Sequence, residues 1–523
     1  MLPAIWHRYI FLFGLIGLAA GMLFGTVPTS IPQIILAANW LLEKDFSWKW
    51  QQLKNNRIFW ILISLFVLHL FGMIYTENVQ RGLDDLRNKI PLLVLPLILF
   101  STKPLSYKEL KLLFGFFFLS VFVGSICCYA VYAGYTKKVI VDVRGASIFM
   151  SHIRFSLFIA FAVIGLIYWS LKEQPFILKI VSLVTMAWLL FFMYKLEMVT
   201  GFLSLIIVGM FLLIIYSLKK LPKTVSAFVL IFVLLSAVFV IKQASESFHM
   251  FDKAPNSSSN ILLEKTKNGR TYLQDTVFGI AENGTLITIN INDEELQNEW
   301  NKKSKIAFNS LDKKGNNLRY TLLRYMASKS LTKDSVGITA LSQEDIGAIE
   351  NGNTNYKYNL NSGLISRWRE LIWEYTKYQR GENPSGHTLT MRLEFWKTGG
   401  YIVHQHPLIG VGTGDIQDAF NDMYNFTNSK LDLVWRLRCH NQYLAIAVAF
   451  GFIGLLVFLF YLLYPAFVLR KQLHYLYWPF FLIALLSFTT EDTLETQSGV
   501  TFFIFFQALF LWLASFKYKN ITE

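Results

Sequence analysis

Long apolar stretches recur along this chain of 523 residues and alternate with polar segments. A helix needs about 20 apolar residues to cross the hydrocarbon core of a bilayer. The pattern therefore predicts an all-α polytopic membrane protein of about twelve transmembrane helices. The predicted spans lie near residues 8–25, 28–43, 57–75, 89–101, 110–134, 150–171, 177–194, 198–217, 224–242, 440–469, 475–489 and 499–517. The stretches 89–101 and 475–489 are short, so the count depends on whether these two cross.

A long polar region, residues 243–439, separates the first nine predicted spans from the last three. Residues 277–291 alternate around Asn283-Gly284, a dipeptide typical of a two-residue hairpin turn. Helical spacing follows at 293–307 and 317–329, and residues 342–345 have the form of a capping box that opens a short helix. These elements predict a small α/β insert.

A further helix is predicted at residues 365–378, where it either lies in the membrane interface or packs on the insert. The whole pattern divides the chain into four parts. They are an N-terminal transmembrane bundle (1–242), the insert (243–390), a loop with candidate chemistry (391–439) and the C-terminal transmembrane helices (440–523).

Charge predicts the orientation of the chain. Hydrophobic residues make up 54% and charged residues 16% of the sequence, and the formal net charge is +14. A basic excess gathered in short loops between spans follows the positive-inside rule and does not indicate nucleic-acid binding. The cations gather at residues 44–57, 103–111, 219–223, 470–471 and 517–519. We therefore predict that this side and both termini are cytoplasmic and that residues 243–439 face outward.

Neither a disulfide framework nor a metal site is predicted. Two of the three cysteines lie inside an apolar stretch and Cys439 stands alone. His404, His406 and His440 have no carboxylate or cysteine at ligand spacing, so a zinc site built on them is not favoured. The first apolar stretch lacks an Ala-x-Ala cleavage site and is followed closely by another, so we interpret it as a span and not as a removed signal.

Polar residues are costly in or beside a bilayer, which makes the loop at 391–439 and its flanks the candidate site. It begins with Arg392 and Trp396 and ends before His440, at the mouth of an apolar run. Between them, glycines alternate through Gly412 and Gly414. This glycine segment lacks the strand and the spacing of a nucleotide-binding fingerprint. It predicts either an anion cradle made of backbone N–H groups or a tight turn.

Three sequence blocks together resemble the O-antigen ligase and polymerase superfamily of membrane glycosyltransferases. They are Arg-Leu-Glu-Phe-Trp from Arg392, His-Pro-Leu-Ile-Gly-Val-Gly-Thr-Gly-Asp from His406, and His-Asn-Gln-Tyr-Leu from His440. The resemblance implies a GT-C-like bundle with a large periplasmic loop in the bacterial inner membrane. It also implies transfer of a glycan from an undecaprenyl-diphosphate carrier to an acceptor hydroxyl, in the lipid bilayer, without metal, nucleotide or other cofactor.

The resemblance assigns roles to two residues. His440 matches the family's catalytic histidine and is the predicted general base, for which an unperturbed pKa near 6.5 is suitable. Arg392 matches the family's loop arginine, whose planar fork can hold phosphate oxygens bidentately. A histidine that only caps a helix and a solvated arginine are the structural alternatives.

Other residues are candidates for holding the substrate, and most are cations predicted on the same side. Many relatives carry a Ser-Arg-Thr-Gly-like sequence near the seventh and eighth spans, but here Lys195 stands close to Thr200-Gly201, so the lysine is the candidate. The cations could equally well snorkel to the interface. The predicted substrate-binding residues are Arg154, Arg87, Lys89, Arg438, Lys195, Gly412, Gly414, Asn441 and Gln442.

The sequence leaves several functions open. The leading hypothesis is a ligase that moves a polysaccharide onto an outer-leaflet glycolipid such as lipid A-core, by a single inverting displacement. A repeat-unit polymerase and a protein O-oligosaccharyltransferase share the donor chemistry, so motifs do not separate them from a ligase. A carrier or flippase would explain the spans and basic loops without explaining a base, an arginine and a glycine loop on one side.

Overall fold

The structure is a computed structural model that describes residues 3–138, 140, 143–172, 175–249, 260–277, 280–358 and 364–522. It is mostly helical. The helices before the insert are α1 (Ala4–Gly21), α2 (Thr26–Leu42), α3 (Phe46–Lys54), α4 (Arg57–Gly72), α5 (Val79–Lys89), α6 (Pro91–Phe100), α7 (Tyr107–Tyr132), α8 (His152–Leu171), α9 (Phe176–Lys195), α10 (Val199–Lys220) and α11 (Lys223–His249). The later ones are α12 (Asp293–Lys303), α13 (Leu318–Ser328), α14 (Ser335–Thr339), α15 (Gln343–Glu350), α16 (Leu364–Gln379), α17 (Thr388–Gln405), α18 (Ile416–Phe426), α19 (Gln442–Val468), α20 (Tyr477–Thr490) and α21 (Gln497–Thr522).

Within the described residues, eight helices are long and apolar enough to cross a membrane, so the chain is a multi-pass membrane protein. They are α1, α4 with the turn that extends it to Tyr75, α7, α8, α9, α10, α19 and Gln497–Phe516 of α21. Lys223–Ser236 and Tyr477–Thr490 are apolar but shorter. The predicted span at 89–101 begins at the last residue of the polar helix α5. Its apolar part is α6, which has only 10 residues. The count of twelve spans stays a prediction.

Helix α21 lies at the centre of the membrane core. Eighty-nine per cent of its most apolar stretch, within Gln497–Phe516, is buried. Its phenylalanines contact aromatic rings of α7, α8 and α20. The ring of Phe506, for example, is 5.1 Å from that of Phe117, 4.9 Å from Phe161 and 5.7 Å from Phe480. A helix packed on every side has a fixed position. The short segment 491–496 that leads into α21 is therefore held firmly at one end of the bundle.

The insert has a hydrophobic core of its own. Strands β1 (Ala281–Glu282) and β2 (Thr285–Leu286) pair antiparallel and confirm the predicted hairpin. Both turn residues between them have positive φ, 49° at Asn283 and 88° at Gly284, as a two-residue hairpin turn requires. Residues 278 and 279 of the predicted alternating stretch lie outside the described residues. The predicted capping box is present at Ser342 and Asp345.

Helix α16 packs on this insert. Ile372 and Trp373 are buried in the insert's core, and the guanidinium of Arg324 lies 3.8 Å from the centre of the Trp373 ring. Arg324 also forms a buried ion pair with Glu282, at 2.6 Å. Of the two predicted positions for this helix, the structure shows packing on the insert. The boundaries of the four predicted parts of the chain stay a prediction.

One transmembrane helix is broken where the glycine segment meets it. Gly451 in α19 has φ 62° and ψ −161°, which interrupts the helical hydrogen bonds. The glycine segment supplies replacements. The N–H groups of Val411 and Gly412 donate to Val448 O (3.0 Å) and Ala449 O (2.9 Å), and Phe452 N–H donates to Pro407 O at 2.8 Å. The break directs the first part of α19, which starts just after His440, away from the rest of the span.

Candidate functional site

The candidate site is built around the segment between α20 and α21, which carries Glu491, Asp492 and Glu495. All three carboxylates are largely buried. The segment is fixed by a hydrogen bond between the Ser487 and Thr493 hydroxyls at 2.6 Å and by Glu491 N–H donating to Ser487 O at 2.8 Å. Buried carboxylates require cationic or hydrogen-bonding partners, and these partners come from distant parts of the chain.

Arg392, on α17, is the partner of Glu491. Its Nη2 atom is 2.7 Å from Glu491 Oε1, and its Nε donates to Thr490 O at 3.1 Å. The side chain is 16% exposed, so the guanidinium lies in a partly desolvated position where a charged hydrogen bond is strong. The position predicted from sequence for an anion-holding arginine therefore already holds an internal anion.

His440 lies next to the same carboxylates. Its Nδ1 atom is 3.3 Å from Asp492 Oδ1 and 3.9 Å from Glu491 Oε2. The first distance is long for a charged hydrogen bond, and this buried Nδ1 atom has no partner of good geometry. The Phe395 ring, on α17, lies 5.6 Å away and supports the imidazole from the side. Nδ1 thus faces the acids.

The backbone of His440 is strained. Its φ of 43° is in the left-handed region, which costs a residue with a Cβ about 1–3 kcal/mol. The next residue ends this turn: the Asn441 side chain accepts from Leu444 N–H at 3.0 Å and donates to Thr489 O at 3.1 Å. Asn441 therefore acts here as the N-cap of α19. This cap holds the histidine against α20.

The acids around His440 raise the pKa of its imidazole. Burial lowers the pKa, but Asp492 and then Glu491 favour the protonated form and outweigh both burial and the opposing charge of Arg392, so the net pKa lies above 6.5.

A second ion network joins α5 to the same segment. Lys89 is fully buried, with its Nζ 2.6 and 2.7 Å from the two oxygens of Asp85 and 3.0 Å from Glu495 Oε2. Arg438 approaches Glu495 at 3.4 Å, and Gln442 donates to the same carboxylate at 3.2 Å. Burial raises the pKa of Glu495, but the positive charges of Lys89 and then Arg438 together lower this pKa by a larger amount. The carboxyl is therefore ionised. Breaking a buried pair by removing one partner typically costs about 3–5 kcal/mol.

Arg154, at the start of α8, lines a small apolar cavity of about 20 Å³. The cavity lies between α8, α20 and α21, and its other lining residues are Leu157, Phe158, Ile483, Ala484, Ser487, Phe488, Thr493, Gly499, Phe502 and Phe503. The Nε atom of Arg154 is buried and has no hydrogen-bond partner within the described residues. Thr493, the residue after Asp492, lines the same cavity.

The remaining sequence candidates are placed differently. Arg87 is exposed on α5, and Lys195 is exposed at the end of α9, 5.7 Å from the Phe191 ring. The N–H of Gly412 donates to Ala449 O, and that of Gly414 donates to Thr76 Oγ1 at 3.2 Å. An anion cradle needs free N–H groups, so these bonds weigh against substrate binding at both glycines, and the tight-turn alternative fits them. Direct substrate contact by any of these residues stays a prediction.

His440, Glu491 and Asp492 also form a group of metal-ligand type, with their donor atoms within 4.8 Å of one another. The zinc site considered from sequence consisted of three histidines and did not include Glu491 or Asp492. Arg392 is ion-paired with Glu491 at 2.7 Å, and a second cation beside that carboxylate would be repelled by the guanidinium. The donor set therefore fits an internal ion-pair network better than a divalent cation.

The acidic residues at 491–495 and Asp85 were not among the site residues predicted from sequence. A signal was present, because three acids within five residues at the end of an apolar run are costly unless they are used. For Asp85 the signal was weaker, since one acid on a polar helix is usually solvated. Neither pattern reveals which cations the acids meet.

Taken together, the fold and the site define a helical multi-pass membrane protein that brings an arginine, a histidine and buried carboxylates together at one end of its bundle. Residues 342–459 match the family model described as O-Antigen ligase. This match relates that region of the chain to O-antigen ligases. The matched region includes Arg392 and His440 but ends before the acids at 491–495. No curated protein gives a significant match to the chain.

Proposed function

We propose that this protein is an O-antigen ligase-like glycosyltransferase that moves a glycan from an undecaprenyl-diphosphate carrier to an acceptor hydroxyl on lipid A-core. The observation that carries the proposal is the pair of contacts made by Glu491, with Arg392 at one oxygen and His440 near the other. The proposed anion-binding cation, Arg392, and the proposed base, His440, thus approach the same carboxylate. The superfamily match supports the same type of chemistry.

In the proposed reaction, His440 Nε2 takes the proton of the acceptor hydroxyl. The acceptor oxygen bonds to the anomeric carbon of the donor while the bond from that carbon to the diphosphate oxygen breaks. The diphosphate leaves with the electron pair, and the configuration at the carbon is inverted. Asp492 stabilises the imidazolium that forms, as carboxylates beside catalytic histidines do.

Arg392 holds the diphosphate as negative charge grows on the departing oxygen. To do so, the guanidinium must exchange its contact with Glu491 for the phosphate oxygens. Arg154 is a second cation for the donor, because its buried Nε lacks a partner and its cavity is apolar. Diphosphate is a good leaving group, so positive side chains can suffice, and we propose that the reaction needs neither a metal nor a nucleotide.

Turnover by purified protein in vesicles, with a lipid-linked glycan as donor, tests this function. His440→Ala should lower turnover by about 10²–10⁴-fold with donor binding nearly unchanged. Arg392→Ala should weaken donor affinity as well as rate, and Arg392→Lys should rescue little because the bidentate fork is lost. His404→Ala is the matched control, since His404 is exposed on α17.

Each result has a clear opposite. Near-wild-type turnover by a normally inserted His440→Ala variant would make this histidine a structural cap. Activity that is lost with EDTA and restored by a divalent ion would contradict metal independence. A carrier or flippase would move the donor lipid across vesicles without consuming it, and His440→Ala would leave that movement intact.

Deleting the protein in its host separates the related enzymes. Loss of a ligase leaves bare core glycolipid, with polymer still on the carrier. Loss of a polymerase leaves core capped by a single unit, and loss of a protein O-oligosaccharyltransferase leaves both glycolipids intact. We expect the first pattern on a gel of the surface glycolipid.

The proposed reaction requires the site to face the periplasm of a bacterial inner membrane. The basic loops predict this orientation, with both termini in the cytoplasm. A reporter fused after Lys220 should read cytoplasmic, and one inserted after Asn260 should read periplasmic. Opposite readings at both positions would remove every role proposed for the outer loop, whatever the activity of the protein.

A further inference from the structure

The glycine segment connects α17 to α18. Its tip, residues 407–410, lies against two membrane spans. Its carbonyl groups bond to the broken span: Phe452 N–H donates to Pro407 O at 2.8 Å and Ile453 N–H donates to Leu408 O at 3.3 Å. On its other side, the Tyr75 hydroxyl donates to Ile409 O at 2.7 Å. Tyr75 is the last residue of the candidate membrane span that begins at Arg57. The tip therefore lies beside the end of one candidate membrane span and the break inside another.

Three carbonyls and one N–H group of this tip are bonded within the protein. Besides the carbonyls of residues 407–409, the N–H of Gly410 donates to His406 O at 3.2 Å, and the next two N–H groups donate into α19. Non-helical backbone at membrane depth is tolerated only where its polar groups have protein or water partners. These bonded groups meet that condition without water, whereas the N–H groups of Leu408 and Ile409 form no hydrogen bond within the described residues.

The side chains of the tip are apolar and face outward. Leu408 is 65% and Ile409 56% exposed, and neighbouring Ile74, at the end of the α4 span, is 77% exposed. Their surface continues onto the exposed faces of the two spans, at Phe71 of α4 and at Phe452 of α19. Exposed apolar faces of membrane spans contact lipid. A contiguous apolar surface of this kind is unfavourable in water.

We propose that residues 407–410 form a re-entrant wedge whose Leu408 and Ile409 side chains lie in the lipid leaflet on the side of the membrane that carries Arg392 and His440. The occupant of this surface is the acyl chains of bilayer lipids. The apolar surface is continuous with two membrane spans, and the carbonyls of residues 407–409 are bonded within the protein, both of which favour lipid over a soluble partner. The wedge holds open the break at Gly451 and so sets the direction of residues 442–450, which follow His440.

The geometry of the glycines supports the wedge. A Cβ added to Gly451 would lie 2.3 Å from the carbonyl carbon of Leu408, and one added to Gly410 would lie 2.4 Å from the backbone of Ala449. Helix and loop therefore approach each other backbone to backbone. This contact does not depend on the proposed reaction, because it concerns only where the loop lies.

Site-directed labelling in lipid nanodiscs with one protein chain per disc tests the proposal. A polarity-sensitive fluorophore is attached to Ile409→Cys and, as the matched control, to Val277→Cys on the insert, where Val277 is 95% exposed. The wild-type chain gives the background from half-buried Cys127 and buried Cys128 and Cys439. Discs are made from phosphatidylcholine with or without brominated acyl chains, and iodide serves as the aqueous quencher.

The wedge predicts that the label at position 409 loses most of its emission in brominated discs and is protected from iodide, with the reverse at position 277. Quenching of both labels by iodide alone would overturn the proposal, because the tip would then lie in water. A label at 409 that responds to neither quencher would overturn it too, since protein would then cover the tip. None of these outcomes depends on glycosyl transfer, so the wedge and the proposed function can fail separately.

Discussion

Glu491 has a central place at the scale of single residues. Its two oxygens are divided between the guanidinium of Arg392 and the imidazole of His440. A diphosphate that binds Arg392 competes with this carboxylate. Displaced from the arginine, Glu491 would favour the protonated form of His440 more strongly, since the histidine would then be its nearest cation. In the proposed reaction, this one side chain would couple donor binding to proton uptake by His440.

The raised pKa of His440 predicts how activity depends on pH. A general base works only when it is neutral, so turnover should fall as the pH drops through a value above 6.5. Asp492→Asn removes the charge at 3.3 Å that favours the imidazolium. The acid limb of the kcat profile should then move to lower pH. The profile is measured with saturating donor in vesicles.

Asp422→Asn serves as the control for this shift, because Asp422 is exposed on α18. We expect its acid limb to match that of the wild type. An unchanged acid limb in Asp492→Asn would mean that another group limits the rate at low pH. A lower plateau without a shift would show that Asp492 positions the imidazole without changing its protonation.

At the scale of elements, the broken helix α19 links the glycine segment to the site. The N–H groups of Val411 and Gly412 and the carbonyls of Pro407 and Leu408 replace bonds that a continuous helix would make internally. The same segment continues to Asp415, whose carboxylate accepts from Glu77 and Asn78 N–H at 2.8 and 2.7 Å, just ahead of α5. Helix α5 carries Lys89, and α19 follows His440. The glycine segment therefore contacts elements on both sides of the ion network.

Gly410→Ala should disturb this arrangement. The residue has φ 69°, which costs an L-residue about 1–2 kcal/mol, and the new Cβ would overlap the backbone of α19. We expect a lower thermal midpoint in detergent and a loss of turnover. Gly400→Ala is the matched control, because Gly400 is helical in α17 and has no atom within 4 Å of an added Cβ. Equal melting of the two variants would show that the loop does not fix α19.

The sequence predicted some of these features better than others. Turn and cap chemistry is local, so the hairpin at Asn283-Gly284 and the capping box at Ser342 were found from a few neighbouring residues. Family motifs pointed to Arg392 and His440. The partners at 491–495 are separated from them by 50 residues or more in the chain, and a single sequence holds no distance information across that gap. The glycines were ambiguous because their N–H partners, Thr76 after the α4 span and Ala449 on α19, are distant in the chain.

At the scale of the whole molecule, the chain has two hydrophobic cores, one in the membrane bundle and one in the insert. Helix α16 belongs to the insert's core and contacts α17, which carries Arg392. A further tie joins the loop after α16 to the loop before His440, through Asn383 donating to Asp432 at 3.0 Å. The insert is therefore connected to both predicted catalytic residues, and its stability bears on the site.

Lys333 makes the stability of the insert depend on pH. The side chain is buried, its Nζ donates to Leu286 O at 2.8 Å, and burial lowers its pKa from 10.5 to about 7. Between these values the unfolded chain binds a proton that the folded insert has released. Stability should therefore rise with pH from about 7 upward, by at most about 1.4 kcal/mol per unit, and this group should add no dependence below pH 7.

Hydrogen exchange of the insert's core amides in the intact protein, corrected for intrinsic rates, measures this dependence between pH 7 and pH 9. Protection in α13 should increase over that range, because α13 packs in the insert's core. Lys333→Met should remove the increase, since no proton is then released on folding. Lys313→Met, at a side chain 58% exposed, should retain it. If protection in the wild type does not change with pH, Lys333 keeps its proton in the folded insert. Groups other than Leu286 O would then stabilise its buried charge.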